Sequence, residues 1–329
     1  MIETPLAVSL GDPAGIGPEV VAKSWERRHD EGLPPFFAVG DLAAVQAAWS
    51  GPVEAIGAPD EAMRAWDSAL PVVQIADSTT PPGSHDLIGA RNALDALELA
   101  VGLTRSGAAS GLVTGPVSKV RLYSVGFSHP GQTEFVAERC GVSSDLTAMM
   151  LAGPTLRVIP VTTHIPFRDV IEALTVERIV TKGRAAARGL QRQFGIDRPR
   201  IAVAGLNPHA GEQGALGREE IDIITPAIER LREEGYDVSG PYPPDIMFNP
   251  HRRATYDAAL CMYHDQGLIP LKTLHFDEGI NVTLGLPIVR TSPDHGTAFD
   301  IAGKNIANPG AMIAAIRAAG ECAARLAAA

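Results

Sequence analysis

The sequence predicts an α/β protein whose parallel strands are joined by crossover helices, and two observations carry that prediction. Short apolar runs alternate with amphipathic stretches along most of the 329 residues. The order strand, helix, strand, helix implies parallel strands with crossover helices. At roughly 150 residues per domain, the length suggests about two domains.

The elements follow in order. Ala7 to Leu10 reads as a buried strand. Gly11-Asp12-Pro13-Ala14-Gly15-Ile16-Gly17 turns the chain, and Pro18-Glu19 opens a helix to about Arg28, with proline near the first turn and an acid at the positive end of the dipole. Phe36–Val39 and Val72–Ile75 read as strands; Asp41–Trp49 and Ala90–Arg105 read as helices, the second from its apolar spacing. Leu112-Val113-Thr114 is a strand ending in Gly115-Pro116. Ala148–Leu151 and Leu156–Val161 flank Ala152-Gly153-Pro154-Thr155, which predicts an antiparallel hairpin. Val176–Phe194 reads as a long helix, Ile201–Leu206 as a strand, Glu219–Gly235 as a helix and Ala258–Tyr263 as a strand. The chain then runs through Gly- and Pro-rich motifs to an Ala-rich helix after Pro309.

Composition removes several function classes. Lys plus Arg is 28 against 38 Asp plus Glu, a net charge of −10, which as a bulk effect repels nucleic acid and anionic lipid. Aromatic residues at 5% do not make a base-stacking platform. Cys140, Cys261 and Cys322 are odd in number and far apart, so neither a disulfide framework nor a Cys-rich zinc site is expected. Met1-Ile2-Glu3-Thr4-Pro5 lacks a basic n-region, and no run of about 18 apolar residues occurs. A reduced, cytoplasmic protein is the expectation.

Three sets of residues carry chemistry. The first is Gly11-Asp12-Pro13-Ala14-Gly15-Ile16-Gly17-Pro18-Glu19 at a strand-to-helix junction. Its spacing fits neither a dinucleotide GxGxxG nor a Walker A loop, so it is either a ligand loop or a turn built for its own geometry. The second is His164, His209 and His264, each just after a predicted strand. The carboxyl ends of strands line the ligand crevice of open α/β sheets, where three imidazoles could hold one divalent metal; three unrelated hydrogen-bonded histidines are the other reading. The third lies in the last quarter: Lys272, Asn281 and Arg290 beside apolar runs. Burying a cation alone is costly, so these call for a substrate phosphate or carboxylate, or for ion pairs with Asp245, Asp265 or Asp294.

Taken together, Gly11–Glu19, Gly115-Pro116-Val117-Ser118-Lys119, Gly205-Leu206-Asn207-Pro208-His209-Ala210-Gly211-Glu212, Tyr263-His264-Asp265-Gln266-Gly267 and Ser292-Pro293-Asp294-His295-Gly296-Thr297-Ala298 resemble the PdxA family, the 4-hydroxythreonine-4-phosphate dehydrogenases of pyridoxal phosphate biosynthesis. The resemblance runs from the first strand to the last helix. It implies two α/β/α lobes like those of isocitrate and isopropylmalate dehydrogenases, not a Rossmann fold. The first lobe would take about 1–135 plus 285–329. The second, about 136–284, would carry the metal ligands and dimer contacts, with the active site in the cleft.

The implied reaction is NAD- or NADP-dependent oxidation of 4-phosphooxy-L-threonine to 2-amino-3-oxo-4-phosphooxybutanoate, which loses carbon dioxide to give 3-amino-2-oxopropyl phosphate. By the resemblance, His164, His209 and His264 match metal ligands, for zinc, cobalt or magnesium, and one subunit of a homodimer completes its partner's site. Thr133, Lys272, Asn281 and Arg290 match substrate positions, with Gln132 beside them; Asp245 and Lys272 are the candidates for proton handling; Asp294, His295, Gly296 and Thr297 suit the dinucleotide. Gln132 departs from the family's Gly-His-Thr-Glu run, standing in Gly131-Gln132-Thr133-Glu134. Glutamine cannot carry a positive charge, which leaves room for a related substrate. Such alternatives are a phosphorylated four-carbon sugar acid or an aromatic cis-dihydrodiol carboxylate. A metal-dependent hydrolase or a phosphate acyltransferase is the reading from another class.

Overall fold

The computed structural model describes residues 3–75 and 80–328. Met1 and Ile2 of the N-terminal stretch and Ala329 of the last helix lie outside the described residues. The chain divides into two compact units, Met1–Gly141 with Leu286–Ala329, and Val142–Gly285. Among the described residues the strands are, in chain order, β1 (Leu6–Ser9), β2 (Phe36–Gly40), β3 (Val53–Ile56), β4 (Leu70–Gln74), β5 (Leu112–Thr114), β6 (Ala148–Gly153), β7 (Leu156–Thr162), β8 (Arg200–Ala204), β9 (Asp237–Tyr242), β10 (Ala258–Tyr263), β11 (Ile280–Leu284) and β12 (Arg290–Pro293).

In the first unit the strands lie in the order β3-β4-β2-β1-β5-β12. Every one of these neighbouring pairs is parallel. Leu6, Ala7, Phe36, Phe37 and Leu112 are fully buried, as strands covered on both faces require. Helix Leu87–Arg105 begins where Asp86 Oδ1 accepts from the Gly89 N–H at 2.7 Å, three residues before the expected start. It buries Ala93, Ala96, Leu97, Ala100 and Val101, the i, i+3, i+4 stripe that faces a sheet. Those residues join Ala7, Phe37 and Leu112 in one core. Helix Gly17–Glu26 carries Pro18 and Glu19 in its first turn. Glu19 is buried, ion-paired with Lys23 at 2.8 Å, and accepts from the Ala307 N–H at 2.8 Å, so it ties the approach to the last helix.

The second unit orders its strands β11-β6-β7-β10-β8-β9. β6 and β7 form the expected antiparallel hairpin, and β11 adds antiparallel to β6. β7, β10, β8 and β9 are parallel neighbours, so their carboxyl ends emerge side by side. Helix Val176–Phe194 is capped by Thr175 and stopped by Gly195 at φ +66°. The expected helix from Glu219 splits into a π-helical turn, Glu220–Ile224, and a regular helix, Thr225–Glu233. Helix His264–His275 was not expected, because Gly267 and Pro270 lie within it. Gly267 suits the place: a Cβ there would stand 3.0 Å from Val158 Cβ of β7, so the missing side chain lets the helix sit close on the sheet. Among the described residues no helix is long and apolar enough to cross a membrane.

Candidate active site

The second unit brings two of the three histidines together. β7 and β10 pair in register at Thr162 and Tyr263; His264 follows Tyr263 directly, and His164 lies two residues beyond Thr162. Their rings stand 5.6 Å apart, centroid to centroid. His164 turns there with φ +53°, a left-handed conformation uncommon without glycine. Both line a pocket of about 210 Å³ with Thr162, Ile165, Phe167, Val170, Tyr263 and Asp265. His264 Nδ1 meets Asp265 Oδ1 at 2.7 Å. A carboxylate on one ring nitrogen fixes the tautomer and leaves Nε2 with its lone pair, the arrangement that metal-bound histidines share. Burial raises the Tyr263 hydroxyl above its ordinary pKa, and Cys261 and Asp265 add to the rise.

His209 takes a different course. It follows β8, the neighbour of β10, but lies five residues beyond the strand, exposed, inside a left-handed turn. His209, Ala210, Gly211, Glu212 and Gln213 all have positive φ, from +42° to +79°. Left-handed backbone costs about 1–2 kcal/mol for each non-glycine residue, so His209, Ala210, Glu212 and Gln213 together store on the order of 4–8 kcal/mol. The start of this loop is tied to the His264 helix. Gln266, buried, donates from Nε2 to the Gly205 carbonyl at 2.7 Å and accepts at Oε1 from the Met262 N–H at 2.7 Å. Among the described residues no three His, Cys, Asp or Glu side chains of one chain cluster as a metal site. The donor chemistry of His164 and His264 nevertheless fits a divalent cation.

Lys272 and Asn281 also belong to this unit. Lys272 is half-buried, with Nζ 5.7 Å from the Phe276 ring centroid. Asn281, on β11 opposite Leu151, has a buried Oδ1 without a partner among the described residues. Asp245 is exposed in the first turn of the short helix Pro244–Met247.

The first unit gathers Gln132, Thr133 and Arg290. Arg290, the first residue of β12, is 3% exposed. Burial pulls its guanidinium down to about 10, and the nearby Glu134 carboxylate works against that fall. Its Nη2 donates to Thr114 Oγ1 at 2.8 Å, and Nη1 to Thr133 Oγ1 at 3.4 Å. Gln132 opens helix Gln132–Arg139 and donates from Nε2 to the Gly115 carbonyl at 3.3 Å. A buried cation and two hydroxyls beside a helix start make a place for an anion.

The glycines of the first motif serve the chain's own packing. A Cβ on Gly11 would fall 2.2 Å from the Pro116 carbonyl oxygen, and one on Gly17 would fall 1.9 Å from that of Leu10. The Ile16 N–H donates to the Thr297 carbonyl at 2.9 Å, so this turn backs onto Asp294–Thr297. His295 donates from Nδ1 to the Gly296 carbonyl, 3.0 Å away, while its buried Nε2 has no partner among the described residues. That orphaned nitrogen is the feature of this loop that fits a bound dinucleotide.

Sequence reasoning passed over several residues that now stand out. Thr114 and Glu134 face Arg290, Gln266 ties the two histidine segments, and Asp12 is buried with its pKa raised by desolvation, an effect the Ala14 N–H partly offsets. All four lie in motifs the sequence displays, but nothing in a motif says which member is buried.

The model of the pyridoxal phosphate biosynthetic protein PdxA matches residues 32–319. The chain belongs to the PdxA family. A 4-hydroxythreonine-4-phosphate dehydrogenase of Zymomonas mobilis is 58% identical, over 95% of this chain and 93% of its own. One of Erythrobacter litoralis is 55% identical, over 98% of each chain. A crystal structure of the Klebsiella pneumoniae 4-hydroxythreonine-4-phosphate dehydrogenase superposes with a TM-score of 0.86 at 38% identity, covering 98% of this chain and 100% of that one. The family and its α/β architecture are thereby established for this chain.

Proposed function

We propose that this protein oxidises 4-phosphooxy-L-threonine with NAD or NADP to 2-amino-3-oxo-4-phosphooxybutanoate. Loss of carbon dioxide then gives 3-amino-2-oxopropyl phosphate, a step towards pyridoxal phosphate. The full-length likeness to relatives of that name carries the reading. Each unit, taken by itself, holds residues that suit one part of such a substrate. Arg290, held between Thr114 and Thr133, supplies a buried positive charge for the phosphate. His164 and His264 supply imidazole donors for a divalent metal, and His209 is the third ligand, with a second copy of the chain completing the set. A divalent metal held by these imidazoles would supply Lewis acidity at the substrate hydroxyl, and a nicotinamide would supply the hydride acceptor.

The chain's own residues then orient the substrate and move the proton. Asp265 holds His264 in one tautomer. Asn281 offers a buried amide oxygen to the substrate ammonium. The hydroxyl proton is assigned to Lys272 rather than Asp245, because Lys272 is half-buried and Asp245 is exposed to solvent. Asp294–Thr297 receives the dinucleotide.

The test is nicotinamide reduction by purified protein given 4-phosphooxy-L-threonine, first with a chelator and then with zinc, cobalt or magnesium restored. Turnover that the chelator stops and a metal restores is expected. Metal-loaded protein that reduces no nicotinamide with this substrate would refute the reading.

A further inference from the structure

Glu220 is a buried carboxylate that the proposed reaction does not use. It is 3% exposed and opens the π-helical turn Glu220–Ile224. A carboxylate is costly to bury unless hydrogen bonds hold its charge. Among the described residues three donors reach it, and all come from the segment that leads to His209. Oε1 accepts from the backbone N–H groups of Leu206 and Asn207, each at 2.7 Å. Oε2 accepts from Asn207 Nδ2 at 3.0 Å, and the same nitrogen donates to Glu219 Oε2 at 2.7 Å. Glycines make this approach possible. A Cβ on Gly211 would stand 2.6 Å from Glu220 Oε2, and one on Gly217 would stand 2.5 Å from Asn207 Nδ2.

The turn that follows needs such an anchor. His209, Ala210, Glu212 and Gln213 hold left-handed backbone, which persists only where the surroundings over-determine it. Gly205 is fixed from one side by Tyr242, whose carbonyl accepts its N–H at 2.8 Å, and from the other by Gln266. Glu220 fixes the next two residues, immediately before Pro208 and His209.

We propose that Glu220 is the positioning residue of His209: its carboxylate pins Leu206 and Asn207 so that the left-handed turn presents the imidazole to the metal. The proposal rests on the assignment of His209 as a metal ligand. A π-helical turn at the start of the helix, rather than a regular one, sets the Glu220 side chain beneath the loop; such turns recur at functional sites.

The test titrates metal-free protein with Co²⁺, following its ligand-field absorption, and measures amide hydrogen exchange. It compares wild type with H209A, E220A and E220Q. H209A is expected to lose the cobalt band. E220A is expected to bind cobalt ~10–100-fold more weakly, the usual effect of removing a group that orients a ligand. Exchange across residues 205–217 should quicken in E220A, while β8 and helix Thr225–Glu233 keep wild-type protection. E220Q keeps an oxygen for the two backbone N–H groups but turns an NH₂ group towards the Asn207 amide, so it should fall between wild type and E220A. An E220A protein with wild-type cobalt affinity, measured where H209A has lost its own, overturns the proposal. If E220A does not fold, E220Q decides, and wild-type affinity with wild-type exchange overturns it. H209A binding cobalt as wild type does overturns the ligand assignment itself, and this proposal with it.

Discussion

Replacing Arg290 by methionine should leave the ligand-free protein as stable as wild type, or more so, while removing its hold on phosphate. The guanidinium is 3% exposed, and burial pulls its pKa well below the ordinary arginine range, to about 10. At about 1.4 kcal/mol per unit, the folded protein bears roughly 3 kcal/mol to keep this group charged. The hydrogen bond to Thr114 at 2.8 Å offsets part of that cost, whereas the one to Thr133 at 3.4 Å is near the limit of useful geometry. Methionine fills much of the same space, carries no charge, and leaves the Thr114 and Thr133 hydroxyls to find other partners, at about 1 kcal/mol for the well-formed Thr114 bond. The expected net change is between zero and about 2 kcal/mol of stabilisation. Urea denaturation without ligand measures it. Substrate KM should rise by about 100-fold, as the loss of a charged, two-armed donor implies. The pH profile gives an independent check. A base whose folded pKa lies below its unfolded value adds stability as pH rises through the folded value, so wild type should gain above about pH 10 and R290M should not. A ligand-free R290M destabilised by more than about 2 kcal/mol would refute the desolvation argument; an unchanged KM would refute the phosphate assignment.

Four further outcomes are expected. Ala210→Gly relieves a left-handed alanine at φ +51° and should stabilise the protein by about 0.5–1 kcal/mol after the added freedom of the unfolded chain is subtracted; a loss in thermal unfolding midpoint contradicts the strain assigned to the turn. Asp265→Asn should weaken metal binding ~10–100-fold by releasing the His264 tautomer, and unaltered metal content at limiting metal would show that the pair is idle. Asp12 has a folded pKa raised by burial above 3.8, so its stability is present below that value and lost as pH climbs through the folded pKa. Asp12→Asn keeps the acceptor for the Ala14 N–H and should flatten that decline as pH rises above about 4, which denaturation midpoints would reveal. Gln132→His adds a group that titrates near 6.5, so the ratio of variant to wild-type substrate affinity should grow as pH falls through that range. A constant ratio would place position 132 away from the phosphate.

What the sequence displayed depended on how much of each element was apolar and regular. Leu87–Arg105 and Val176–Phe194 are long, and their apolar spacing is unambiguous. β3, β9, β11 and β12 passed unread. β9 spells Asp-Val-Ser-Gly-Pro-Tyr, whose glycine and proline point to a turn, and β12 begins with a buried arginine. The neighbourhood of β7 and β10 could not be read either, because register is a tertiary fact, and it alone sets His164 beside His264. The left-handed turn at His209 was hidden for a different reason. Only Gly211 among residues 209–213 advertises positive φ, and the other four adopt it because the surrounding contacts impose it. Glu220 likewise looked like an ordinary acid at a helix start, a place where acids are common on dipole grounds alone.

Arg290 and His209, one in each unit, are set in place by opposite devices. Arg290 sits on a strand, where the backbone costs nothing and the penalty is lost hydration of the cation. His209 sits in the open, where hydration is kept and the penalty is backbone strain. In each case folding sets the group in place before any ligand arrives, so binding need not supply the ordering. The distinction separates variants that relieve the same kind of burden. R290M relieves the penalty by removing the group the ligand needs, so stability and affinity part company. Ala210→Gly relieves strain while leaving the imidazole present, so its whole effect on the metal must come from loosened geometry. With Glu220 still pinning Leu206 and Asn207, that loosening begins only after the anchor, and cobalt affinity should change far less in A210G than in E220A.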